Sequence, residues 1–132
     1  MRVHEVIHTD KGPAALGPYS QATKLPVVPG MSLVFVAGQI ALDPATGELI
    51  DGSAGEQAHR VMQNVQVILE EAGSSLNQVL KTTIFLTSMD LFAEVNEAYG
   101  SYFVDAPPAR ATVAVAGLPK SVEVEIEVMG YC

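Results

Sequence analysis

The chain has 132 residues, with fifteen acidic against seven basic side chains and a net charge of −8. An acidic chain of that kind repels polyanions at long range, and no Lys/Arg cluster or basic-aromatic stripe offsets the charge, so nucleic acid is not an expected partner. Hydrophobic residues make up 48% and charged ones only 17%. One domain of this size hides roughly two-thirds of its unfolded surface, so such an apolar composition calls for further cover from another subunit or a ligand.

The single cysteine, Cys132, leaves no intramolecular disulfide to form. No apolar run approaches membrane-spanning length, and the first residues carry neither a secretory apolar core nor an Arg/Ser-rich leader. The expectation is a cytoplasmic protein with no membrane partner.

In chain order, residues 3 to 7 form a short possible strand, followed by a loop through Gly12-Pro13 to the Gly17-Pro18 turn. Tyr19 to Leu25 reads as a strand ending at Pro26. Pro29-Gly30 turns the chain into Leu33 to Ala37, a continuous apolar run predicted to be covered on both faces. Gly38 follows it, at a place where another backbone or a ligand can come close.

A helix is predicted over Ala54 to Ala72, opened by a Ser53/Glu56 capping box and closed by Gly73. Ala58, Val61, Met62, Val65, Ile68, Leu69 and Ala72 form its buried stripe, with Gln57, Arg60, Gln63, Asn64, Glu70 and Glu71 on the wet side. Val79 to Thr87 is the next strand. Asp90 is placed to cap a second helix, whose stripe is Leu91, Phe92, Val95, Tyr99, Tyr102 and Phe103. That helix stops before Pro107-Pro108.

The remaining stretch reads as a hairpin with its turn at Gly117-Leu118-Pro119-Lys120. Its first strand opens on Arg110, the only basic residue between Lys81 and Lys120. Its second strand alternates, with Val122, Val124, Ile126 and Val128 on one face and Glu123, Glu125 and Glu127 on the other. An isolated arginine can hold a carboxylate by paired charged hydrogen bonds, and a nearby glutamate can orient water. The plainer reading makes Arg110 a surface cation and the glutamates a solvated face. Two helices cover only one face of a sheet of about six strands, so the other face is expected to be covered by a ring of subunits.

Other constellations carry less. His4 and His8 have a helical metal spacing on a segment that reads as strand and loop, and His59 stands beside the first helix's stripe, so no metal site is expected. Ser20 lacks an activating partner nearby, and no glycine-rich phosphate loop is present.

Motifs along nearly the whole chain resemble the RidA/YjgF/YER057c family, also called the L-PSP endoribonuclease family. Gly-Pro-Tyr-Ser-Gln-Ala at 17 to 22, Ala-Gly-Gln-Ile at 37 to 40 and Thr-Gly-Glu at 46 to 48 carry the first part. Asn64-Val65, Glu71-Ala72-Gly73, Lys81-Thr82-Thr83 with Phe85, and Phe92 to Asn96 carry the middle. Pro108-Ala109-Arg110, Leu118-Pro119-Lys120 and Val124 to Glu127 carry the end. The resemblance implies an α+β, chorismate-mutase-like fold with two helices on one face of a six-stranded mixed sheet. It implies a homotrimer assembled through the other face, with sites between subunits. The implied activity is cofactor-free enamine/imine deamination, in which 2-aminoacrylate and related intermediates become 2-keto acids and ammonia. No cofactor or metal is implied.

Carried over by position, Arg110 grips the substrate carboxylate and Glu125 positions or activates water. Tyr19 and Asn96 line the pocket, and Gly38 and Thr112 bring backbone amides near the ligand. Thr112 stands where the family often has cysteine, Pro107 where it often has an aromatic residue, and Ala37 where Ser or Thr is common; these differences bear on substrate identity. The alternatives are a catabolic deaminase such as one acting on 2-aminomuconate, a trimer that binds small 2-keto acids or other carboxylates without turnover, and the endoribonuclease of the family's second name. The acidic composition argues against the last.

Overall fold

The computed structural model describes residues 1–132. Six strands form one sheet: β1 (Glu5–Ile7), β2 (Ala22–Val28), β3 (Met31–Gln39), β4 (Val79–Leu86), β5 (Ala109–Ala114) and β6 (Val124–Tyr131). Two helices, α1 (Ala54–Glu71) and α2 (Phe92–Gly100), lie side by side, with α1 packed across β3 and β6. The strand order is β1-β2-β3-β6-β4-β5, mixed in direction, as expected for the α+β class.

The sheet corrects the predicted closing hairpin. β5 and β6 do not pair; β5 lies parallel to β4 at the sheet edge, while β6 inserts between β3 and β4, antiparallel to both. The apolar alternation of β6 holds in the fold, with Val124, Ile126 and Val128 fully enclosed beneath α1. Alternation fixes which face a side chain takes but says nothing about which strand lies alongside. The turn between β5 and β6 runs through Pro119–Ser121, where Lys120 and Ser121 adopt left-handed φ values of 55° and 58°.

α1 begins and ends where its signals place it. Ser53 Oγ accepts from the Glu56 amide, the Glu56 carboxylate accepts from the Ser53 amide, and Gly73 takes φ +89° past the last turn. Asn64, expected on the wet side, is instead 0% exposed. Its side-chain amide donates to the carbonyls of Ile40 and Leu42, and its oxygen accepts from Arg60. A buried amide of this kind replaces water for the Leu42 carbonyl, which would otherwise lie unpaired, and adds a second donor to that of Ile40, which also accepts from the Leu42 amide.

α2 is not capped by Asp90. Ser88 Oγ accepts from the Asp90 amide in a short 3₁₀ turn, and the helix starts at Phe92 without a side-chain cap. The early strand also differs, because Tyr19 lies in a bend and β2 runs from Ala22 through Pro26 to Val28. β3 is covered on one face only. Val34 and Val36 are buried under the helices while Phe35 is 39% exposed on the helix-free face. Phe35 stands beside Met129, and Val113 belongs to the same face through Phe85, so exposed apolar side chains run across the sheet.

Candidate functional site

Glu125, Tyr19 and Gly38, from three separate elements, line one cavity of about 380 Å³. Glu125 sits in β6 opposite Phe85, on the helix-free face. Beside it, β3 breaks register between Val36 and Gln39, and this bulge carries Ala37 and Gly38 past the carboxyl group. A Cβ on residue 38 would lie 3.0 Å from both Cδ and Oε1 of Glu125, so a glycine there leaves room for the acid. Burial pushes the Glu125 carboxyl above the usual carboxylate range, and the like charge of Glu127 adds to the rise.

The loop from Thr9 to Ser20 forms the outer wall of the cavity and is held by a buried side chain. Gln21 Oε1 accepts from the Thr9 amide at 2.7 Å, while Nε2 donates to the carbonyls of Thr9 at 3.0 Å and Pro13 at 2.8 Å. Tyr19 Oη accepts from the Leu16 amide at 3.0 Å, which folds the ring back against its own loop. A polar side chain that closes several backbone groups at once fixes a loop that lacks regular secondary structure.

Arg110, Asn96 and Thr112 form a second group elsewhere on the subunit. Arg110 lies opposite Thr82 of β4, whose hydroxyl bonds Tyr99 of α2, so both face the helices. Its Nη1 donates to Asn96 Oδ1 at 2.7 Å. The guanidinium carbon stands 5.2 Å from the Tyr99 ring centre and 5.7 Å from that of Phe92. Arginine over aromatic faces is held by attraction to the ring quadrupole. Burial raises the Tyr99 hydroxyl pKa, and its bond to Thr82 and the nearby guanidinium partly offset that rise.

No carboxylate pairs with Arg110, and no other Lys or Arg side chain pairs with an acid either. Thr112, opposite Ile84, keeps its hydroxyl buried with no hydrogen-bond partner. One subunit therefore divides the predicted site residues into an acid-lined cavity on one sheet face and a cationic group at the β5 edge on the other. Sequence reasoning did not assign Gln21, Phe92, Tyr99 or Pro119 to a site. Gln21, Phe92 and Pro119 lay within recognised motifs, but Tyr99 gave only the signal of a buried helical stripe.

No group of three or more His, Cys, Asp or Glu side chains is placed to hold a metal ion. His4, His8 and His59 form no such group, and His59 meets the Tyr102 hydroxyl at 3.2 Å. No helix is long and apolar enough to cross a membrane.

Comparison with known proteins agrees with this architecture. The sequence model of the Endoribonuclease L-PSP family matches residues 9–132, and the chain belongs to that family. A protein of Pyrococcus abyssi named only as a RutC family protein is 49% identical over 127 residues, covering 96% of each chain. The 2-iminobutanoate/2-iminopropanoate deaminase of Mus musculus is 43% identical over 125 residues, covering 95% of this chain and 89% of the mouse protein. The crystal structure of E. coli TdcF with bound serine superposes with a TM-score of 0.85 at 38% identity, covering 96% of this chain and 97% of that one.

Proposed function

We propose that the protein is a cofactor-independent enamine/imine deaminase, hydrolysing 2-aminoacrylate-type intermediates and their 2-imino tautomers to 2-keto acids and ammonia. The observation that carries this reading is Arg110, a guanidinium held in place by Asn96 and two rings with no acidic partner, in a chain of net charge −8. An arrangement of that kind suits a bound carboxylate, which accepts two parallel bonds from a planar fork. A deaminase among the relatives and a relative with bound serine, itself a carboxylate, support the ligand class.

The proposed assembly is a homotrimer formed through the helix-free face, in which Arg110 of one subunit meets the Glu125 cavity of the next. Exposed Phe35, Val113 and Met129 on that face support it. Tyr19, Gly38, Asn96 and Thr112 complete the pocket.

In the reaction, an enamine first takes a proton on carbon and gives one up from nitrogen, becoming the imine. Arg110 fixes the carboxylate. Glu125, its pKa raised by burial, can take a proton from the attacking water and return one to the departing amine. Water adds to the imine carbon, the carbon–nitrogen bond breaks, and ammonia and the keto acid leave. Fixing the substrate beside one placed water is most of the catalytic task, because the free imine already hydrolyses in water.

The test is to generate 2-aminoacrylate or 2-aminocrotonate with a pyridoxal-phosphate dehydratase, trap free intermediate with semicarbazide, and follow keto acid release. Acceleration that is lost in Arg110→Lys and Glu125→Gln is expected. Ligand binding without acceleration would instead make the protein a carboxylate binder.

A further inference from the structure

Lys24, Lys81 and Arg110 are the basic side chains carried by the six strands. Lys24 turns toward the helices and donates to the Ala72 carbonyl at 2.9 Å, and Arg110 stands over Phe92 and Tyr99. Lys81 alone lies on the helix-free face, next to Thr82 and Ile84, which are buried on the other side. It lines a hollow of about 180 Å³ together with Glu127, Thr83, Phe35 and Met129.

The register sets Lys81 opposite Met129 and Glu127 opposite Thr83, so the two charges are diagonal neighbours across β4 and β6. Both are exposed, yet Lys81 makes no ion pair with Glu127 or with any other acid of its subunit. The face around them is apolar, with Phe35 and Met129 39% and 43% exposed. Once protein covers this face, each charge loses its hydration and requires an opposite charge in return.

Their positions give the pairing a direction. Lys81 lies opposite Ala109, the residue before Arg110, and Glu127 follows Glu125 on the same face of β6. A seam that brings Arg110 of one subunit to Glu125 of the next therefore carries Lys81 toward Glu127 by the same step. In a closed ring such contacts run head to tail, so each subunit gives its lysine to one neighbour and its glutamate to the other.

We propose that Lys81 of each subunit forms an ion pair with Glu127 of the next, and that this pair fixes the register in which the helix-free faces associate. The inference rests on the trimer reading and names a charged contact within it. A slipped register would set the lysine against Phe35 or Met129, or bring glutamates together, and each of those arrangements is penalised.

Sedimentation velocity of the full chain over a concentration series measures assembly. Lys81→Glu and Glu127→Lys are each expected to raise the concentration needed for assembly about thirtyfold or more, because each seam then sets like charges together. Mixed in equal amounts, the two variants are expected to assemble again, as trimers holding both chains in native mass spectra, since most seams then join opposite charges. Pairing within a subunit could not be restored by mixing. Should a reversal fail to fold by circular dichroism, Lys81→Met, Glu127→Gln and the double variant replace it. Each single change is then expected to weaken assembly about tenfold or more, and the double change less than either, because no charge is left buried alone.

Variants that assemble like the parent, or reversals that mixing does not rescue, would overturn the inference and leave the trimer standing. A parent chain that sediments as a monomer at every concentration would remove the trimer reading, and this pairing with it.

Discussion

Arg110 Nη1 donates to Asn96 Oδ1 at 2.7 Å, joining the first residues of β5 to the middle of α2. The bond leaves the rest of the guanidinium fork free for a ligand. Asn96→Ala is expected to lower kcat/KM about three- to tenfold, the usual worth of one such bond, chiefly through KM. Steady-state kinetics beside an unchanged melting temperature would check this, since Asn96 is exposed.

Arg110→Lys keeps the charge but removes the planar fork and its stacking over Phe92 and Tyr99. The expected loss in kcat/KM is about a hundredfold or more, since two bonds to a charged group are at stake. Stability should change little, because the side chain is exposed. Paired kinetics and thermal melts distinguish loss of the anchor from loss of fold.

Gly38 and Glu125 are close enough that a methyl group on residue 38 would meet the carboxyl carbon at 3.0 Å. Gly38→Ala is expected to swing the acid out of its place, lowering kcat about tenfold or more with a smaller change in KM. Glu125 should then titrate closer to an ordinary glutamate, a shift that carbon-detected NMR of the labelled side chain would follow.

The raised Glu125 pKa carries a sign for both activity and stability. If the ionised form takes the proton from water, kcat/KM falls as pH drops through that pKa. Glu127→Gln removes the like charge and is expected to move this acid limb to lower pH. Because the folded pKa lies above the unfolded one, ionised Glu125 opposes folding above that pKa, and the penalty fades as pH falls toward the ordinary glutamate range. Glu125→Gln should therefore be more stable than the parent at neutral pH, with the difference shrinking in acid. Denaturant unfolding at several pH values measures it.

Asn64→Ala would leave the Leu42 carbonyl without its donor inside the core, and the Ile40 carbonyl with the Leu42 amide alone. The expected cost is about 1–3 kcal/mol, read as a fall in melting temperature of several degrees. Asn64→Asp should do worse at neutral pH, since it buries a charge and has no N–H to donate to these carbonyls.

Much of this architecture could be read from residue order. The capping box at Ser53 and Glu56, the apolar stripe of α1 and the alternation of β6 are local signals, and each produced the element it announced. Pairing was not legible: the short link from β5 to β6 resembled a hairpin, yet β6 lies between β3 and β4. Asn64 was misplaced because periodicity sorts residues by polarity, whereas its burial depends on carbonyls more than twenty residues away in sequence. The candidate site was legible as motifs, not as geometry. Nothing in the sequence showed Glu125 and Arg110 on opposite faces, or the aromatic bed beneath the guanidinium.

The central position of β6 also has a consequence for synthesis. Until Val124 and the residues after it have left the ribosome, β3 and β4 have no strand to join them and their facing edges stay unpaired. A nascent or truncated chain lacking this segment would expose two adhesive edges and the apolar underside of α1. Such fragments should be cleared by chaperones or proteases, and the whole sheet should close in one late, cooperative event rather than strand by strand.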